Sequence, residues 1–150
     1  MPRSVNEVFR NGELMSSVTQ PWMLNDLRQE IADYRWNRQV LGITIGDQVI
    51  TTERHEMAVW QGMLLDIVLN PGVRTEFDYK PVGGENILLT VPQVQRCYAC
   101  FAWYTMACYS TERYFNSLII PGMPESFEAV AAQAFNPANW PQRQYSWIPE

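Results

Sequence analysis

Between residues 24 and 41 the apolar positions Leu24, Leu27, Ile31, Tyr34 and Leu41 recur at helical spacing, interrupted at Arg38. Arg28, Glu30, Asp33 and Arg35 take much of the remaining surface. The pattern predicts a helix from about Pro21, with Thr19 as a cap and Pro21 in the first turn, ended by Gly42. Ile43-Thr44-Ile45 and Gln48-Val49-Ile50 then flank Gly46-Asp47. Glycine first in a two-residue loop suits a type II′ turn, whose twist matches the strands it joins. Thr51 or Thr52 is placed to cap a second helix that runs to about Asn70 and stops at Pro71-Gly72. Its buried stripe is expected to be Met57, Trp60, Leu64 and Ile67 or Val68.

A second hairpin follows, with Glu76-Phe77-Asp78-Tyr79-Lys80 alternating, Gly83-Gly84 turning, and Asn86-Ile87-Leu88-Leu89 returning. Thr90-Val-Pro-Gln93 is a capping-box sequence: the threonine hydroxyl accepts from the Gln93 amide and the glutamine side chain reaches back. It opens a third and longest helix, about Val91 to Ile119, before Pro121-Gly122. There Val94, Cys97, Phe101, Tyr104, Cys108, Phe115 and Leu118 step by fours and threes, with Thr111 filling one step.

The order helix, hairpin, helix, hairpin, helix defines an α+β domain over residues 21–120. Hairpins this short do not stand alone, so they are expected side by side in one small antiparallel sheet packed on the helices. Residues 1–20 carry scattered apolar positions around a turn at Asn11-Gly12 and form an N-terminal arm. Residues 121–150 comprise a short alanine-rich helix, about Glu125–Phe135, and an extended C-terminal arm. In that arm Pro137, Pro141 and Pro149 forbid a continuous helix.

Composition narrows the function. Charged residues are 18% of the chain, against roughly a quarter in ordinary domains, and there are six tryptophans. Such a chain is short of residues to cover its surface, as where another chain covers part of it. The net charge is −5 and Lys80 is the only lysine, so nucleic acid and anionic membrane surfaces are excluded as partners. No membrane span is expected, since no apolar run reaches about 18 residues; nor is a leader expected in residues 1–20. Cys97, Cys100 and Cys108 read as three reduced thiols, hence folding in a reducing cytoplasm.

Candidate chemistry fails on residue type and spacing. Structural zinc wants four ligands, and the three cysteines have one histidine, His55, on another element. The apolar setting of the cysteines raises a thiol pKa, which disfavours a nucleophile. Glu53 and Glu56 complement a helix N-terminus, and Asp33 with Glu30 are ordinary neighbours on a helix. Gly83-Gly84 lacks the strand–glycines–helix context of a phosphate loop. No catalytic, metal or cofactor-binding residue is expected, and the protein is read as no enzyme. What remains is a surplus of aromatics. Trp103, Tyr109 and Tyr114 fall outside the buried stripe of the third helix, and Trp140, Tyr145, Trp147 and Ile148 stud the C-terminal arm. Aromatic residues dominate interface energetics, so these seven are the expected partner-binding residues.

Residues of about 24–119 resemble a phage family catalogued as a domain of unknown function, found in tail-fibre and tail-fibre-assembly genes. The residues that carry the likeness are Arg35 and Arg38 on a charged helix, Ile43-Thr44-Ile45 with Gly46-Asp47, and Val49-Ile50-Thr51-Thr52 before a helix containing Gly62. They continue through Tyr79-Lys80, Gly84, Ile87–Thr90 and Gln93. The resemblance implies a structural component of a bacteriophage tail, at the baseplate or fibre attachment, folded in the host cytoplasm and retained in the virion. Its partners would be tail proteins and further copies of itself, with no cofactor. The alternatives are a tail-fibre assembly chaperone absent from the mature virion and, third, a small hydrolase.

Overall fold

A computed structural model describes the backbone of residues 3–10, 13–81 and 83–148, and the side chains of residues 21–81 and 83–148. The turn expected at Asn11-Gly12 lies outside them. The described elements are β1 (Arg3–Arg10), β2 (Glu13–Gln20), α1 (Leu24–Val40), β3 (Ile43–Ile45), β4 (Gln48–Ile50) and α2 (Arg54–Leu69). They continue with β5 (Glu76–Tyr79), β6 (Ile87–Thr90), α3 (Val91–Leu118), α4 (Pro124–Ala134), a 3-10 turn (Pro137–Asn139) and β7 (Gln144–Tyr145). This is an α+β protein with small sheets.

The chain packs as two compact units, Met1–Arg35 with Ser110–Trp140 and Trp36–Tyr109 with Pro141–Glu150. The expected globular stretch 21–120 is thus shared between them, and α1 and α3 each run from one into the other. In the first unit Leu27 and Ile31 of α1 pack with Phe115 and with Phe127, Val130, Ala131 and Ala134 of α4. Arg35 and Glu112, both largely buried, form an ion pair at 2.5 Å. In the second unit the isoleucines of β3 and β4, Trp60 of α2, and Phe77, Tyr79 and Leu89 of the second hairpin surround Val94–Cys108 of α3.

Local chemistry explains most boundaries. The capping box forms as read: the Thr90 N–H donates to Gln93 Oε1 at 2.9 Å and the Gln93 N–H to Thr90 Oγ1 at 3.4 Å. Gly42 ends α1 at φ +84°, where any Cβ would strike the Ile50 carbonyl. The β3–β4 register, Ile43 opposite Ile50 and Ile45 opposite Gln48, leaves only Gly46-Asp47 to turn the chain.

Several expectations are corrected. Thr19 is no helix cap: it lies in β2 opposite Ser4 of β1, so residues 1–20 hold a paired hairpin and α1 opens only at Leu24. α2 opens from Glu53, because Thr52 turns inward and donates its hydroxyl to the buried Gln39 carbonyl. The two central hairpins do not share one sheet. β5–β6 stands apart, while the free edge of β3 is taken in parallel by β7. A parallel partner must arrive by a long crossover, which the intervening chain supplies. Leu118, the last residue of α3, is 37% exposed, and the residue buried there is Ile119, just past the helix end, where the chain has left the helical path and turns its side chain inward.

Phe101 is 2% exposed at the centre of the second core. Phe101→Ala is expected to cost about 3–5 kcal/mol in chemical denaturation; a loss below about 1 kcal/mol would remove it from the core.

Candidate interaction surface

The seven residues expected to meet a partner separate into two groups. On α3, Trp103, Tyr109 and Tyr114 are each more than half exposed, and Met106 between them is 61% exposed. Spacings of three and four residues put Trp103, Met106, Ser110 and Tyr114 on one side of the helix, away from its buried face. The Arg96 guanidinium lies 5.6 Å from the Trp103 ring centre, within cation–π range.

The C-terminal arm, whose aromatics were expected to meet a partner, lies largely on its own chain. Trp140 is 5% exposed in the first core. Its indole N–H donates to the Ala134 carbonyl at 2.7 Å, and its ring meets Tyr34 at 5.4 Å and Phe115 at 5.8 Å. Beyond Pro141 the chain lies on the second unit. The Thr44 and Gly46 N–H groups donate to the Arg143 and Tyr145 carbonyls at 2.7 and 2.9 Å. Tyr145 and Trp147 are half-buried against the core. Trp147 packs on Gly46, where a Cβ would come within 2.8 Å of the indole. Of the four arm residues only Ile148, 79% exposed, is open to solvent. The physical reason is the unpaired edge of β3, which binds the nearest strand-forming segment. Arg96 joins the two groups: besides facing Trp103, it donates to the Ser146 carbonyl at 2.8 Å.

The reactive residue types serve packing. All three cysteines are free and buried. Desolvation, and secondarily Cys100 nearby, push the Cys97 thiol from its ordinary 9.0 up to about 12, the reverse of an activated nucleophile. His55 is solvated, with Nδ1 3.4 Å from Glu53 and Nε2 3.3 Å from Glu56. Glu56, read as a complement to the helix N-terminus, is 5% exposed. Its carboxylate accepts from the Tyr79 hydroxyl at 3.1 Å, and burial together with that negative neighbour raises the Tyr79 pKa. Among the described residues, no three His, Cys, Asp or Glu side chains are grouped to hold a metal, and no helix is long and apolar enough to cross a membrane.

One surface escaped the sequence reading. Of the stripe expected for α2, Trp60 is fully buried, and Met57, Leu64 and Ile67 pack partly against the core. Val68, however, is 72% exposed, and Val59, Leu65 and Leu69 join it outside. The signal was available: α2 carries more large apolar residues than a single stripe can bury.

The chain is an α+β scaffold with large apolar side chains exposed on two of its helices. The family described as Domain of unknown function (DUF4376) matches residues 24–135, most of the chain, and the chain belongs to it. No curated protein and no solved structure matches it significantly.

Two outcomes are expected. Trp140→Ala should cost about 3–5 kcal/mol, and deleting residues 136–150 should cost more by also freeing the edge of β3; an unchanged melting temperature would detach the arm from its core. Because the folded state holds Cys97 protonated, stability should be level below about pH 9 and fall as the pH rises toward 12, where only the unfolded thiol ionises. Native protein should correspondingly resist thiol reagents at about pH 8 that label all three cysteines in denaturant.

Proposed function

We propose that this chain is a structural component of a bacteriophage tail, in the baseplate or fibre-attachment region, that works through protein–protein contacts with tail proteins and further copies of itself. The observation that carries the contact reading is the outward side of α3. Trp103, Met106, Tyr109 and Tyr114 keep about half or more of their surface in solvent, although the chain had ample apolar surface to bury elsewhere. Large side chains of this kind are the usual energetic anchors of interfaces, and Trp and Tyr lose little conformational entropy on docking. The resemblance to tail-associated sequences supplies the setting. Membership of a family whose role is undescribed is compatible with it and adds no more.

Quantitative mass spectrometry of purified particles tests the setting: stoichiometric presence is expected. Absence from mature particles, with association to fibre protein during assembly, would replace it with the chaperone reading. Trp103→Ala and Tyr114→Ala test the surface. Each should change folding stability by no more than about 1 kcal/mol, since both rings are largely solvated, while reducing incorporation at least about tenfold if each is an anchor. Unaltered incorporation in the double variant would remove this face from the interface.

A further inference from the structure

The outward side of α2 carries Ala58, Gly62, Leu65 and Leu69 at i, i+4, i+7 and i+11, one face of the helix. Leu65 is 57% exposed and Leu69 67%. Gly62 is a helix-interior glycine, which weakens a helix relative to alanine. Among the described residues nothing requires it: a Cβ built there has no atom within 4 Å. Its bareness leaves a groove of about 340 Å³ lined by Val59, Met63, Asp66, Arg74 and Phe77. At the rim Arg74 and Asp66 lie 3.5 Å apart, with the arginine side chain 63% exposed.

We propose that this face is the contact between two copies of the chain, with α2 of one laid against α2 of the other about a two-fold axis. The face is complementary to itself, which selects a second copy as its occupant. In a two-fold contact residue i meets j while j meets i, so one surface must bear both halves of every interaction. This surface does. It holds the groove at Gly62 and, beside it, the leucines to fill one; it holds an acid at Asp66 and a base at Arg74. Charge selects the same face. A chain of net charge −5 repels its own copies, yet Asp66 is the only charged residue between Met57 and Leu69 and Arg74 balances it. Two copies therefore meet here without net repulsion, and each Arg74 can pair with the other copy's Asp66. This goes beyond the functional reading, which expects further copies but assigns them no surface, and it uses a different face from α3.

Sedimentation velocity of the full chain over a wide concentration range is the test. The wild type should form a concentration-dependent dimer, and Leu65→Glu should be monomeric with an unchanged melting temperature. Asp66→Arg and Arg74→Asp should each weaken the dimer at least about tenfold, as like charges then face each other across the axis. Mixing these two single variants should restore a dimer, because the doubly basic face of one is complementary only to the doubly acidic face of the other. A wild type that stays monomeric, a Leu65→Glu dimer, or a mixture that stays monomeric would each overturn the proposal. A monomeric wild type that still enters particles would overturn it while leaving the tail reading intact.

Discussion

A helix of 28 residues satisfies its own backbone but cannot cover its own apolar side, and the packing around α3 answers that constraint. Val94, Cys97, Phe101, Tyr104 and Cys108 form the centre of one core, and Phe115 enters the other. Along this face the small thiols of Cys97 and Cys108 flank the large rings of Phe101 and Tyr104. Tyr104 adds a polar tie, donating its hydroxyl to the Arg38 carbonyl at 2.6 Å. That bond gives the end of α1 an anchor within the second core, and burial holds the phenol protonated.

The ends of the short elements are closed by distant residues. α1 ends in carbonyls that its own helix leaves unpaired. Thr52 donates to that of Gln39, and just past the helix end Arg143, about a hundred residues later in the chain, donates to the Gly42 and Leu41 carbonyls at 2.7 and 3.1 Å. The same segment pairs with β3 and lays Trp147 across Gly46. Prolines at 137 and 141 suit this task, since the segment needs an extended backbone and never a helix. A tail rich in aromatics can thus be consumed by its own fold as readily as by a partner.

What stays outside is informative because so much apolar surface is used inside. The outward faces of α2 and α3 differ in kind. α3 presents large rings beside Arg96, suited to pockets on a dissimilar surface. α2 presents aliphatic side chains beside a bare glycine, suited to close approach of another helix. Buried polar groups, by contrast, are turned to internal hydrogen bonds, as Tyr79 donating to Glu56 shows.

From α1 to α4 element type and order were legible in the chain because they rest on local rules, whereas the strands β1, β2 and β7 were not read. Helical spacing from Leu24 to Ile31, the Gly46-Asp47 turn, the Thr90–Gln93 box and the stripe of α3 each depend on residues a few positions apart. The exposed Trp103, Tyr109 and Tyr114 were legible as the remainder after that stripe was assigned. The partnering of edges was not legible, because a strand edge accepts any extended segment and sequence separation carries no penalty that a reader can see. So tertiary structure alone decided that β7 joins β3, that the two hairpins stay apart, and that Trp140 is core while Ile148 is surface. On α2 it settled one position, packing Ile67 against the core beside Trp60, whose ring centre lies 4.6 Å from that of Tyr79, and leaving Val68 outside: the helix is apolar nearly all round, so periodicity alone did not choose between the two.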